Sequence, residues 1–400
     1  MPWKPPPANR TWIWQQPGWP ALRFDAQALA ADLDAARLQQ GRLIGQLDGI
    51  GLPGVREISR DLWIHDAMAT AAIEGEKLDM GAVRSSVARR LGLDTAATHD
   101  RHVDGLVEVM QDATQGYKLA LTRDRLCRWQ SALFPGGTAG IRRIAVGRWR
   151  DHEDAMQIVS GYPGREVVHY TAPPSRAVPA EMGSFLKWFA ASRPTRRGEP
   201  APAPAGMHGL VRAAIAHLWF ESIHPFEDGN GRLGRAIADM AIAQDLDWSL
   251  RVFSLSQQMM HSRNAYYDAL NAAQVGGLEI TPWVRWFVRA FAAGCIRSQN
   301  VVKQAVDKAE FRKLAATRPL SQRQLKVLHR LLEAGDGGFL GGMTADKYSK
   351  ITGASKATAT RDLADLLQHG LLVVEGVGKA TRYAVNVTGW NLGMGQNPET

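Results

Sequence analysis

Cysteine is nearly missing from this chain: 400 residues carry only Cys127 and Cys295. Neither has a second cysteine or a histidine at metal-ligand spacing, which excludes a disulfide framework and a structural zinc site. Also missing is any apolar run approaching the roughly 18 residues that a membrane-crossing helix needs. The first ten residues, MPWKPPPANR, place prolines and a tryptophan where a secretory signal needs an apolar centre, so a cytoplasmic protein without membrane contact is expected. Runs of β-branched residues are few while Ala and Arg recur throughout, and the expected fold is mainly α. No segment repeats, which excludes a solenoid. A net charge of +9 suits a nucleic acid, a nucleotide phosphate or neither, so the location of the basic residues has to decide.

Residues 1–54 read as an N-terminal arm and helix. Trp3, Trp12, Trp14 and Trp19 lie among prolines, a composition unsuited to a regular helix but able to drape rings over a neighbouring surface. Asp25 is an N-cap for a helix with Leu29, Leu33, Leu43, Ile44 and Leu47 along it, ending near Gly51–Pro53. A second helix is expected over about 59–75, capped by Ser59 and stopped by Gly75, with Glu74 at its C-terminal end. Gly-rich, β-like sequence follows Leu133, and 156–171 reads as a hairpin. Pro194–Gly206 is a Pro/Ala loop within the core. A long helix from Pro282 carries Trp283, Trp286, Phe287, Phe291 and Ile296 toward Pro319, where a domain boundary is expected, giving a core of 55–318. In 319–388, three short helices with hydroxyl N-caps and two strands around a Gly-containing turn have the order of a winged helix-turn-helix. Residues 389–400 read as a disordered tail.

The chemistry concentrates in residues 224–235, His-Pro-Phe-Glu-Asp-Gly-Asn-Gly-Arg-Leu-Gly-Arg. Gly229-Asn230-Gly231 leaves a turn with free N–H groups at the start of a helix, where the dipole favours anions. Arg232 and Arg235, three apart on that helix, can grip one polyphosphate with forked hydrogen bonds. Asp228 supplies one hard oxygen for magnesium, which is held by one or two carboxylates together with phosphates and waters. His224, just ahead of the turn, can take a proton near neutral pH.

This string resembles the signature of the Fic family, departing from it at no fixed position. The resemblance extends over roughly residues 55–310, with His217 and Phe220 in the preceding helix and Tyr266-Tyr267 before the Trp-rich helix. It implies a Fic-type helical bundle with a β-hairpin flap, and an enzyme that transfers AMP from ATP to a Ser, Thr or Tyr hydroxyl of a target protein or of itself. By that resemblance His224 is the base, Asp228 holds Mg2+, and Gly229, Asn230, Gly231, Arg232, Leu233, Gly234 and Arg235 bind the nucleotide. Val168 and His169 of the flap meet the target, and Tyr266 and Tyr267 close the adenine and ribose pocket. Residues 70–75, Thr-Ala-Ala-Ile-Glu-Gly, resemble the family's inhibitory pattern, which implies that Glu74 pairs with Arg235 and restrains the enzyme; Glu74 could also orient a water that removes AMP again.

Two other readings remain open. The chain could be a DNA-binding transcriptional regulator whose core senses nucleotide: residues 319–387 hold nine Lys/Arg against six Asp/Glu, with Lys356, Thr358 and Arg361 on the presumed recognition helix, Leu363, Leu366 and Leu367 turned inward, and Lys379 and Arg382 in the wing. Alternatively the same nest could transfer another nucleotide such as UMP. His217 reads as a structural histidine among core residues, and a homodimer is the expected assembly.

Overall fold

The computed structural model describes residues 11–48, 51–92, 99–161, 165, 167–194, 207–249, 252–334, 339, 341–388 and 390. The fold is mainly helical and divides into two compact units, residues 1–49 with 55–299, and residues 50–54 with 300–400. Among the described residues no helix is long and apolar enough to cross a membrane.

Helix α1 (Ala26–Asp48) begins as expected: Asp25 Oδ1 accepts from the N–H groups of Gln27 and Ala28. Helix α2 differs from expectation. It runs Gly51–Ile73, so Ser59 is a buried mid-helix residue and not its cap. Pro53 misled the reading, because proline is tolerated in the first turn, where its missing N–H would have no helical partner. Next come α3 (Met80–Arg90), α4 (Arg101–Gln115) and α5 (Arg123–Leu133), capped by Asp79, Asp100 and Thr122. Two antiparallel hairpins follow, β1 (Thr138–Ala139) with β2 (Arg142–Arg143), and β3 (Gln157–Ser160) with β4 (Val167–Thr171). The second has a register shift between Ile158 and Val159.

After α6 (Val178–Ala191), the centre of the first unit is α7 (Gly209–Ile223) against α8 (Asn230–Leu246). Every residue of α7 is buried, the condition under which a helix loses its amphipathic stripe and its polar residues acquire internal roles. Helices α9 (Leu255–His261), α10 (Arg263–Val275) and α11 (Thr281–Ala316) as far as residue 299 complete it, with Trp283 buried and donating through Nε1 to Ala214 O. The described part of the arm is a 3-10 turn, Ile13–Gln15, followed by hydrogen-bonded turns over residues 16–21. Trp14 donates to Thr171 O, Trp19 to Glu181, and the Trp12 ring meets Tyr170 edge-on. Trp3, the 195–206 stretch of the Pro/Ala loop, and residues 389 and 391–400 of the tail lie outside the described residues.

In the second unit α12 (Gln322–Glu333), α13 (Ala345–Thr352) and α14 (Lys356–Gln368) start from Ser321, Thr344 and Ser355, each accepting a first-turn N–H. The first forms a complete capping box with Gln324. Strands β5 (Leu372–Glu375) and β6 (Arg382–Val385) pair antiparallel, and Met343 bridges to Tyr383 beside them. Their core is Val327, Leu331, Tyr348, Leu363, Leu366 and Leu372. Leu367 is half-buried, not turned fully inward, and Thr358 is half-buried with its hydroxyl against Ser355. The Lys379 side chain lies outside the described ones.

Helices α4 and α5 buttress α8, and α4 approaches α5 at Gly105, where an added Cβ would lie 1.7 Å from Ala132 O. Gly105→Ala is therefore expected to lower the unfolding free energy by about 1–3 kcal/mol through forced separation of the helices. Gly45→Ala, with open space around it, is expected to be neutral or stabilising by up to about 1 kcal/mol. Denaturant unfolding of both variants checks the contrast.

Candidate active site

The site is made where α7 ends and α8 begins. His224 closes α7 in a left-handed conformation (φ 51°, ψ 61°), its N–H donating to Phe220 O at 3.0 Å. A residue with a Cβ adopts that conformation at a cost, so its surroundings must hold it there. Arg150 does so from below. This guanidinium, 1% exposed, donates to His224 O at 2.7 Å, Ile223 O at 3.2 Å, Pro173 O at 2.6 Å and Ser175 Oγ at 2.9 Å. Its own N–H donates to Pro225 O. It thus collects carbonyls that the end of α7 leaves without helical donors; burial pulls its pKa down to about 10. Tyr170, on β4, donates to Ser222 O and ties the flap to the same turn.

Phe226 is fully buried against Trp149, and Asn230 closes the loop by accepting from Phe226 N and donating to Phe226 O. Asn230 therefore shapes the turn. Gly229 takes φ 88°, and a Cβ there would meet Phe134 at 2.9 Å. Gly231 faces Glu74, whose Oε1 would lie 2.2 Å from an added Cβ, and Gly234 faces Glu221 in the same way at 2.3 Å. Leu233 has its side chain wholly in the core.

Both arginines of the motif are occupied by carboxylates from the end of α2. Arg235, 2% exposed, donates through Nη2 to Glu74 Oε1 at 2.8 Å and Thr70 O, and through Nε to Thr70 Oγ1. Its Nη1 has no hydrogen-bond partner. Burial alone would raise the Glu74 pKa, but Arg235 outweighs it and holds the carboxyl below its ordinary value; Arg235 is raised in turn by Glu74. Arg232 lies over the Phe134 ring and donates from Nη1 to both oxygens of Glu76, at 2.9 and 3.0 Å, with Asp228 3.6 Å from Nη2. One backbone device places both carboxylates: Gly75 N donates to Ala72 O and Glu76 N to Ala71 O, the Schellman ending, with Gly75 at φ 81°. Arg263 and Tyr267 then hold Ile73 O.

Asp228 is partly exposed beside the nest and accepts from Gly229 N at 2.6 Å. His217 Nε2 lies 2.9 Å from the Tyr266 hydroxyl, and its ring stacks on Trp283. Both rings are buried, and burial lowers the His217 pKa to about 4, which fits a structural residue. Tyr266 is in ring contact with Tyr267. Val168 and His169 lie on β4, His169 within 2.5 Å of Ser160 Oγ. Glu76, Arg150, Thr70 as a hydrogen-bonding partner and Glu221 had escaped the sequence reading. The only signal for Glu76 was a second acid one residue past Gly75.

Residues 12–93 match a domain of unknown function, DUF4172, and residues 120–242 match the Fic/DOC family. The probable protein adenylyltransferase aq_aa38 of Aquifex aeolicus is 26% identical over 129 residues, 31% of this chain and 34% of that protein. Protein adenylyltransferase fic-1 of Caenorhabditis elegans is 31% identical over 98 residues, 24% of this chain and 18% of that one. The chain thus spans about a third or less of the length of these curated relatives. A crystal structure of a Fic family protein from Desulfovibrio desulfuricans aligns over 92% of this chain and 97% of its own, at 19% identity and a TM-score of 0.47. The matched span 120–242 contains the whole 224–235 string and the loop, turn and arginines built from it, and over that span the chain is similar to the Fic/DOC family.

Proposed function

We propose that the chain is a protein adenylyltransferase that moves AMP from ATP to a hydroxyl of a target protein or of itself, restrained by Glu74. The observation that carries this reading is the convergence of Arg232, Arg235 and the Gly229–Gly231 turn at the start of α8, with His224 at its mouth. An unpartnered Nη1 on the buried Arg235 and the space beside Gly231 taken by the Glu74 carboxylate support an anion site there, with Glu74 as a surrogate anion.

His224 is suited to act as a base. Burial and then Arg150 lower its pKa to about 4, so the imidazole is neutral at pH 7. In the proposed step it takes the hydroxyl proton, the oxygen forms a bond to the α-phosphorus, and the phosphorus–oxygen bond to pyrophosphate breaks, the electron pair leaving with pyrophosphate. The nest and arginines supply position and charge neutralisation. Magnesium fits the donor set: Asp228 offers one hard, partly exposed oxygen beside the glycine turn, suited to an ion held largely by phosphates and water. Bound there, it would neutralise phosphate charge. The exposed strand β3 pairs with β4 alone among the described strands, leaving an edge for the backbone of a target.

A second reading concerns the other unit. Helix α14 exposes Lys356, Thr360 and Arg361 beyond a buried face, next to a two-stranded wing, an arrangement suited to a DNA groove.

Three outcomes are expected. Intact-mass spectrometry after incubation with ATP and Mg2+ should show the Glu74→Gly protein gaining AMP at least about tenfold faster than wild type, since a charge-assisted pair contributes about 1.5–3 kcal/mol, while Glu74→Gly with His224→Ala gains none; loss of labelling in every variant would sink the transferase reading. Glu76 is 43% exposed, and an exposed pair contributes about 0.2–1 kcal/mol, so Glu76→Ala alone should accelerate labelling by no more than about fivefold. Retardation of double-stranded DNA by the full chain at low salt should weaken in Lys356→Ala with Arg361→Ala; no retardation at any salt concentration removes the second reading.

A further inference from the structure

Glu221 is a buried carboxyl for which the transfer step described above has no use. It lies one turn before His224 on α7, is 5% exposed, and its Oε2 is 3.9 Å from His224 Nδ1. Its Oε1 has no hydrogen-bond partner and presses on Gly234, where any larger residue would displace it. A carboxyl in that position, without hydrogen-bond compensation on one oxygen, costs stability, so its retention asks for a role.

We propose that Glu221 is a positioning residue for His224, keeping the Nδ1 edge of the imidazole turned to the protein and Nε2 turned to the incoming hydroxyl, and strengthening the base when its carboxyl is ionised. This rests on the transferase reading of the same site. The geometry supports it twice. The left-handed backbone at His224 folds the ring back along the last turn of α7, where both the main-chain carbonyl and the carboxyl of Glu221 face it. Gly234 leaves room for the carboxyl between α7 and α8, at the same level as the arginine that binds Glu74.

The charged and titratable groups around Glu221 are Glu74 from α2, Arg235 from α8, His217 and His224 from α7, Tyr170 from β4 and Tyr266 from α10. Burial, and then Glu74, raise the Glu221 pKa to about 8, with Arg235 opposing. Below that pH the group is a neutral acid; above it the carboxylate favours a protonated imidazole 3.9 Å away. The sign follows: the basicity of His224, and with it the transfer rate, rises as pH passes through the ionisation of Glu221. Glu74→Gly removes one negative neighbour and should move that ionisation to lower pH.

The test uses the full chain with 15N-labelled histidine, assigning the ring by its loss in His224→Ala. The His224 ring nitrogens of the wild type are expected to show an inflection near pH 8, displaced to lower pH in Glu74→Gly and missing in Glu221→Gln. In the Glu74→Gly background, Glu221→Gln is expected to lower kcat for AMP transfer by roughly 10- to 100-fold with KM for ATP within about twofold, and to flatten the alkaline rise of the rate. Glu221→Asp should keep part of that rise. Unfolding midpoints of the variants check that the fold is kept. If the His224 resonances of wild type and Glu221→Gln titrate alike, the proposal is wrong, whether or not the protein transfers AMP. Absence of transfer by Glu74→Gly overturns the transferase reading separately.

Discussion

Arg150 holds one helix open at its end so that another can start beside it. Five hydrogen bonds from this one residue, four from the guanidinium and one from the main chain, take up oxygens of Ile223, His224, Pro225, Pro173 and Ser175. A wholly buried helix cannot send its terminal carbonyls to water, so without a buried donor α7 could not stop where it does. Stopping there makes the left-handed His224 tolerable, brings Phe226 into the core, and lets Asn230 close the loop that opens α8. The glycine turn, the His224 imidazole and the two arginines all take their places from that one satisfied helix end.

Within this frame the charges are arranged against each other. Arg232 and Arg235 are 6% and 2% exposed, and each is paired with an acid from the segment following α2. A buried guanidinium without an anion would carry a large desolvation penalty, so the carboxylates of Glu74 and Glu76 are what let the two arginines be buried. The charges of the site are thus balanced within the chain itself. The Glu74 side chain is 31% exposed against 43% for Glu76, so water screens its ion pair less.

How much of this could be read from the sequence depended on whether a partner is near in the chain. The nest is contiguous, so His224 to Arg235 announced its geometry, and the three hydroxyl-capped helices of 319–388 were legible because caps and apolar spacing are local signals. Glu74 was legible only through its resemblance to an inhibitory pattern; its arginine is 161 residues away. Arg150 and Glu76 meet partners 74 and 156 residues away, and no periodicity encodes a buried ion pair. The start of α2 was missed because Pro53 is both a helix breaker and an acceptable first-turn residue.

The carboxylates that block the arginines belong to a Schellman ending, and that has a kinetic consequence. An isolated helical peptide relaxes within about a microsecond, whereas enzymes typically turn over about ten times per second. A Glu74 restraint opening even roughly a hundredfold more slowly than such a peptide would re-equilibrate many times during one turnover. On the proposed reading the restraint then acts as a dimmer: the resting rate follows the fraction of time the turn is open, and any contact that lengthens or shortens α2 by part of a turn scales it smoothly.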